Sequence, residues 1–191
     1  MAVRIVYETH ALTTDNEAGI STGWLPGLLS AEGRREALDL GERRRDEDIA
    51  AVFTSDLQRS VDTARIAFPD GRPPILRDAR LRECDYGELN GRPSPLVDAR
   101  RARCIDTPFP GGQSYRQVLA ATEAFLLDLL RHWDGKRVLV IAHTANKWAL
   151  DCLLTGASLP DLVTVPFAWQ REGWCYTVPT NGGSRPGTTS G

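Results

Sequence analysis

"RVLVIAH", residues 137–143, is the stretch on which the reading of the fold turns. Five apolar residues follow Arg137 without a polar interruption. The run is too short for a helix and suits a strand buried on both faces. It stops on His143, one of only three histidines in 191 residues. "RIVYETH" (4–10) has the same form, with Val3 to Tyr7 as the apolar run and His10 as the stop. "IAAVFTS" (49–55) is a third apolar run, ended by Ser55. Three buried strands that each halt on a polar, chemically capable residue predict a parallel sheet with a site at its carboxyl edge.

Working outward, helices fall between the strands. Ser30 reads as an N-cap for a helix over Gly33 to Arg45. Ser55-Asp56-Leu57-Gln58 has the form of a capping box and predicts a helix from Asp56 to about Ala67. Ser114-Tyr115-Arg116-Gln117 has the same form and opens a helix whose Val118, Thr122, Phe125 and Leu129 recur at helical spacing. "TANKWALDCLL" (144–154) is a further helix, and "GWCYTV" (173–178) a last strand. From Ile75 to about Pro110 the pattern is irregular, a long excursion with one or two short elements. The Gly-, Ser- and Thr-rich tail from Pro179 reads as disordered, leaving a single domain over 1–178. Strands alternating with helices give an α/β fold, a three-layer α/β/α sandwich on a mostly parallel sheet.

Composition narrows the function. With 23 basic and 25 acidic residues the net charge is −2, so no overall field draws nucleic acid or an anionic membrane, and any anion must be bound locally. Cys84, Cys104, Cys152 and Cys175 form no CxxC, which predicts buried, reduced thiols in a cytoplasmic protein with no metal site. No stretch reaches the roughly 18 apolar residues of a membrane span. A homodimer is left open. Arg43-Arg44-Arg45 reads as a solvated helix end, His132 as a surface residue, and Trp24 and Trp148 as packing.

If the strands ending at His10 and His143 are parallel neighbours, about 4.8 Å apart, both imidazoles emerge at one edge. The helix after Ser55 brings Arg59 to the same edge in its first turn. Two histidines and an arginine with free N–H groups make a phosphate site. A neutral imidazole there can attack phosphorus directly and split one hard displacement into two easier ones. The leaving alcohol then needs an acid. Glu83 in "LRECDYGELNG" (81–91) is the candidate, with Asp85 and Glu88 as competitors on composition.

These segments resemble the histidine phosphatase superfamily, in its phosphoglycerate mutase-like branch. "THALTTDN" (9–16) stands where the family has Arg-His-Gly-Glu-Thr followed by an Asn. "TGWLPGLLSAEG" (22–33), "TSDLQRSVDTA" (54–64), "LRECDYGELNG", "FPGGQSY" (109–115) and "VLVIAH" are similar to the family's remaining motifs, in its order. The resemblance implies that His10 is the phosphorylated nucleophile, Glu83 the proton donor, and Arg59 and His143 phosphate ligands. Asn16, Thr22 and Gly23 match positions that hold phosphoryl oxygens in some members; Arg82 and Tyr86, within a matched motif, and Thr144, directly after His143, are further candidate substrate contacts. It implies no metal and no cofactor. Family mutases carry a long insertion before the Pro-Gly-Gly segment; here only about 20 residues separate Gly91 from Pro110, which favours a phosphatase acting on a small phosphorylated metabolite.

The chain departs from the pattern at Thr9, where the family has Arg, and at Ala11, Leu12 and Thr144. Lys147, one helical turn after His143, is the first candidate to supply the missing cation, with Arg82 and the Arg100, Arg101, Arg103 cluster as alternatives. Thr9 as a hydroxyl donor to a less charged substrate is a second explanation. A site that binds without turnover, or performs non-hydrolytic transfer, is the alternative reading.

Overall fold

The computed structural model describes residues 1–179. In chain order the strands are β1 (Ala2–Thr9), β2 (Ile20–Ser21), β3 (Ala51–Thr54), β4 (Ile75–Arg77), β5 (Arg92–Pro93), β6 (Arg137–Ala142) and β7 (Trp174–Pro179). The helices are α1 (Thr14–Glu17), α2 (Ala31–Arg44), α3 (Gln58–Ala67), α4 (Ser94–Arg101), α5 (Tyr115–His132), α6 (Thr144–Thr155) and α7 (Leu159–Thr164). Five strands form the central sheet in the order β4-β3-β6-β1-β7. The first four are mutually parallel, and β7 closes the edge antiparallel to β1. The fold is α/β.

The unbroken apolar runs of β1, β3 and β6 make sense from their alternation. Val3, Ile5 and Tyr7, with Phe53, Val138 and Val140, pack with Phe125, Leu126 and Leu129 of α5 and Leu150 of α6. The intervening Val6, Val52, Leu139 and Ile141 pack on the other side with Leu40 of α2 and Ala64 of α3. Each strand thus feeds two cores, one per sheet face. Burying one such side chain is worth about 1.5–3 kcal/mol, so losing either layer would unfold the domain.

Ser30 caps α2 by accepting from the Gly33 N–H at 3.1 Å, and Ser114 with Gln117 forms the expected capping box of α5. Gly33 is required there, because a Cβ would lie 1.9 Å from the Leu12 carbonyl oxygen.

Other expectations need correction. The box at Ser55 does not form: α3 begins at Gln58, its N-cap is Leu57 with no side-chain cap, and the Ser55 hydroxyl faces His143 instead. The excursion from Ile75 holds β4, two 3-10 turns (Ala79–Leu81 and Gly87–Leu89), β5 and α4, more than the one or two elements its irregular sequence suggested. Pro179 does not begin a tail but ends β7, with its Cα opposite Ala2; the rest of the expected tail, 180–191, lies outside the described residues.

The Arg43–Arg45 run is solvated only at Arg45. Arg44 is buried and donates at 2.7 Å to Glu8, itself buried on β1, and Arg43 reaches the same carboxylate at 3.2 Å. Two guanidiniums answer the one carboxylate because an unpaired charge at that depth is prohibitive. Cys84 and Cys104 are buried as expected, but Cys152 is half-buried and Cys175 exposed.

Candidate active site

Strand parity places the histidines. On β1 the residues in phase with Val6 face α2 and α3, so Glu8 and then His10 follow on that side; on β6 the phase of Leu139 and Ile141 carries His143 the same way. The strands are parallel with Thr9 opposite Ala142, and the His10 N–H donates to the Ala142 carbonyl at 2.9 Å. The two imidazoles therefore meet, ring centroids 5.1 Å apart. Thr9 has the opposite phase.

Arg59, from the first turn of α3, lies between them. Its Nε donates to His10 Nε2 at 3.2 Å and its Nη2 approaches His143 Nδ1 at 3.4 Å. Arg59 is 2% exposed, and its guanidinium is further held by the carbonyls of Gly23 (2.8 Å) and Leu25 (3.0 Å). Gly23 itself has a positive φ of 55°, and a Cβ there would sit 1.7 Å from Asn90 Oδ1. Asn90 in turn receives the N–H groups of Trp24 and Tyr86, so the turn that grips Arg59 is pinned to the Tyr86–Asn90 segment.

The hydrogen bonds define the tautomers. His10 Nδ1 is 2.8 Å from the Ala11 carbonyl, which only accepts, so the proton is on Nδ1 and Nε2 presents its lone pair to Arg59. Burial, then the Arg59 charge, lowers the His10 pKa to about 3. His143 is fully buried; its pKa is pushed well below the ordinary histidine range by burial, and then by Arg59 and His10. With Nδ1 accepting, its Nε2–H points at the Ser55 Oγ at 2.7 Å and the Ser60 Oγ at 3.2 Å. Tyr7 donates to the His143 carbonyl at 2.5 Å. Both rings are neutral, and each is locked from behind.

The segment after His10 spends its own amides. Ala11 N–H goes to Thr63 Oγ1, Leu12 N–H to Glu36 Oε2, Thr13 N–H to Asn16 Oδ1 and Thr14 N–H to the Leu28 carbonyl. An anion here must be gripped by side chains.

Glu83 is buried, with Oε1 accepting from the Cys84 N–H at 2.8 Å. Burial raises its pKa against the opposing pull of that bond, of Arg59 and Arg101, and of the Ala145 N–H at the start of α6. Trp24 fixes the segment by donating from Nε1 to the Glu83 carbonyl at 2.7 Å. Of the three acids weighed, Asp85 is committed to the Gly87 N–H and Asn90 Nδ2, and Glu88 takes no part in an ion pair among the described residues.

The other expected residues divide. Thr9, Asn16 and Thr144 join His10 in lining one cavity of about 380 Å³. Thr22 is buried and donates to Asp15 at 2.8 Å, while Gly23 serves through its carbonyl to Arg59. Tyr86 is buried against Phe109 and lines neither lobe of the groove at His10. Arg82 forms a half-exposed ion pair with Asp56 and lies over the Trp24 ring.

Lys147 is not brought to His10. Its Nζ pairs with Asp151 at 2.5 Å and lies over the rings of Trp174 and Tyr176, because α6 turns that face toward β7. Arg101 pairs with Asp98 and lies over the Trp148 ring, where its charge acts on Glu83.

Sequence reasoning missed Ser55 and Ser60 as partners of His143, and Glu36. Ser55 carried a signal, a hydroxyl at the end of a buried strand, but it was read as a cap. Glu36, on the polar face of a helix some two dozen residues from His10, carried none. A second cavity, of about 330 Å³, shares Thr9, His10, Glu36 and Trp169 with the first, so His10 opens onto a continuous groove.

The family model of the histidine phosphatase superfamily (branch 1) matches residues 9–180. A 2,3-bisphosphoglycerate-dependent phosphoglycerate mutase from Methylobacterium sp. (strain 4-46) is 32% identical over 167 residues, 80% of each chain. Phosphoserine phosphatase 1 from Hydrogenobacter thermophilus is 27% identical over 82% of this chain and 78% of its own. Among solved structures, Bacillus stearothermophilus YhfR superposes with a TM-score of 0.78 at 24% identity, over 89% of this chain and 88% of that one. The chain belongs to the histidine phosphatase superfamily, whose members among its relatives include both phosphatases and mutases.

Proposed function

We propose that the protein is a metal-independent phosphatase that hydrolyses a small phosphorylated metabolite through a phosphohistidine on His10. The observation that carries the reading is the neutral, Nδ1-protonated His10 whose Nε2 lone pair faces Arg59 at 3.2 Å, with Arg59 also reaching His143. An entering phosphate exchanges the His10–Arg59 contact for contacts of its own oxygens with Arg59 and His143. Nε2 then bonds to phosphorus, the ester P–O bond breaks, and the departing oxygen takes the proton of Glu83, whose raised pKa suits an acid. In the second step the Glu83 carboxylate accepts a proton from water. The water oxygen bonds to phosphorus as the P–N bond breaks, releasing phosphate and neutral His10.

The test is acid-quench trapping during turnover of p-nitrophenyl phosphate in the presence of chelator. An acid-labile phosphoenzyme is expected, with its loss and at least a thousandfold drop in phosphate release in His10→Ala. Full activity in that variant would overturn the reading.

A second reading, a phosphate-binding module that does not turn over, is favoured by one observation: Arg59 and the amides after His10 are already engaged. It predicts phosphate binding with no trapped intermediate. The kinship to mutases keeps a third outcome measurable, transfer between acceptors without free phosphate.

A further inference from the structure

The larger lobe of the groove does not look like the wall of a site built for an anionic metabolite. Beside Thr9, His10, Leu12, Asn16 and Thr144 it is lined by one carboxylate, Glu36, and two aromatic rings, Phe167 and Trp169, with no lysine or arginine among the described residues. Trp169 is 53% exposed, its ring available rather than packed away. Glu36 accepts the Leu12 N–H on Oε2 at 2.8 Å and enters no ion pair among the described residues. The other acids of the groove differ: Glu32 pairs with Arg35, Glu8 with Arg43 and Arg44, and Asp39 with Arg43 and Arg171. One carboxylate free of ion pairs beside an exposed indole and a half-buried phenyl ring that packs on Trp174 is the chemistry that recognises an ammonium group.

We propose that this lobe takes the cationic arm of the substrate, so that the metabolite is a phosphate monoester of an amino alcohol, with its phosphate at His10 and its ammonium between Glu36, Phe167 and Trp169. The inference rests on the phosphatase reading above and names its substrate class. The arginines of the smaller lobe do not compete for this role, because each is held in an ion pair: Arg35 with Glu32, Arg43 with Glu8 and Asp39, and Arg171 with Asp39. A monoester dianion that carries its own ammonium has one net negative charge, matched to the Arg59 guanidinium at His10, and a further guanidinium at position 9 would repel the ammonium across the shared wall. Thr9 lines both lobes and places no charge of its own at their shared wall.

The experiment compares phosphocholine and phosphoethanolamine with 3,3-dimethylbutyl phosphate, the neutral isostere of the first, measuring kcat/KM by phosphate release. At least a tenfold preference for the charged substrates is expected. Glu36→Gln keeps an acceptor for the Leu12 N–H while removing the charge, and should collapse the ratio toward one. Trp169→Ala, at an exposed position where folding is not at stake, should lower the ratio as well. Equal turnover of phosphocholine and its neutral isostere, or a ratio that survives both variants, overturns the inference and leaves the phosphatase reading intact. No phosphate release and no trapped phosphoenzyme from any of the three substrates or from p-nitrophenyl phosphate overturns both.

Discussion

His10 has two sides that could hardly differ more. Behind it, toward α3, lie Arg59, His143, Ser55 and Ser60, all buried, their donors and acceptors matched to one another. In front, toward α2 and the 165–171 loop, lies an open groove with a free carboxylate and an exposed indole. The rear is dry and preorganised, the setting in which a fixed charge acts most strongly on a reacting phosphoryl group. The front is open and built from α2 and the loop beyond α7, segments far from His10 in the chain. Chemistry is assigned to the first and choice of substrate to the second, and each expected outcome below separates them.

The largest effect should come from Arg59. Arg59→Met removes the one cation that, among the described residues, touches either site histidine and should lower kcat/KM for p-nitrophenyl phosphate by about 10²–10³, the cost of losing one oriented donor to developing charge. Because Gly23 and Leu25 lose their partner too, circular dichroism must accompany the kinetics. A loss of less than tenfold in a folded variant would mean that the rear does not hold the phosphate.

The same dryness fixes a pH dependence. An ordinary histidine, with a pKa near 6.5, is about thirtyfold more protonated than neutral at pH 5. His10, lowered to about 3, should stay neutral there, and NMR of the imidazole carbon shifts reads this directly. The sign for stability follows. The unfolded chain binds a proton between about pH 6.5 and 3 that the folded His10 refuses, so stability rises with pH across that window and is lost as pH falls through it. His143, also lowered, adds in the same direction. An imidazole at position 10 that titrates near 6.5 would place it in water and dissolve the contrast between the two sides.

A smaller change is expected at Ser55. Ser55→Ala removes the 2.7 Å partner of His143 Nε2 but leaves Ser60 at 3.2 Å, so the ring keeps its tautomer with less constraint. About a tenfold drop in kcat/KM corresponds to one hydrogen bond of about 1.4 kcal/mol. An unchanged rate would show that His143 needs no such support.

How much of this was legible in the chain tracks the same division. The rear is written in short-range rules: apolar runs that must be strands, a period of two that sends residues 6, 8 and 10 to one face, and a helix that brings Arg59 to the carboxyl edge. Those rules depend on neighbours in sequence, and they placed His10, His143 and Arg59 together. Ser55 was misassigned because a serine followed three residues later by glutamine satisfies a cap rule equally well, and only the imidazole from β6 decides between the two uses. The front depends on distance in the chain. Nothing near His10 announces Glu36 on α2 or Trp169 beyond α7, and no periodicity reports that Arg44 will be drawn under the sheet by Glu8.

Lys147 is the sharpest instance and supplies the smallest expected effect. By sequence it stands one turn beyond His143, well placed to replace a cation missing at position 9. On α6, however, residue 147 faces β7, and its ammonium lies between Asp151 and the rings of Trp174 and Tyr176. Lys147→Met should therefore leave KM for p-nitrophenyl phosphate within about twofold of the parent, since no phosphate contact is removed. The cost should fall on stability instead. Asp151 is left in a half-buried place with only the Tyr176 hydroxyl, at 2.7 Å, and losing a charged partner there costs about 1–3 kcal/mol, a drop of several degrees in Tm. A rise of tenfold or more in KM with Tm unchanged would put Lys147 in front of the phosphate, and the cations of this site would then have to be counted again.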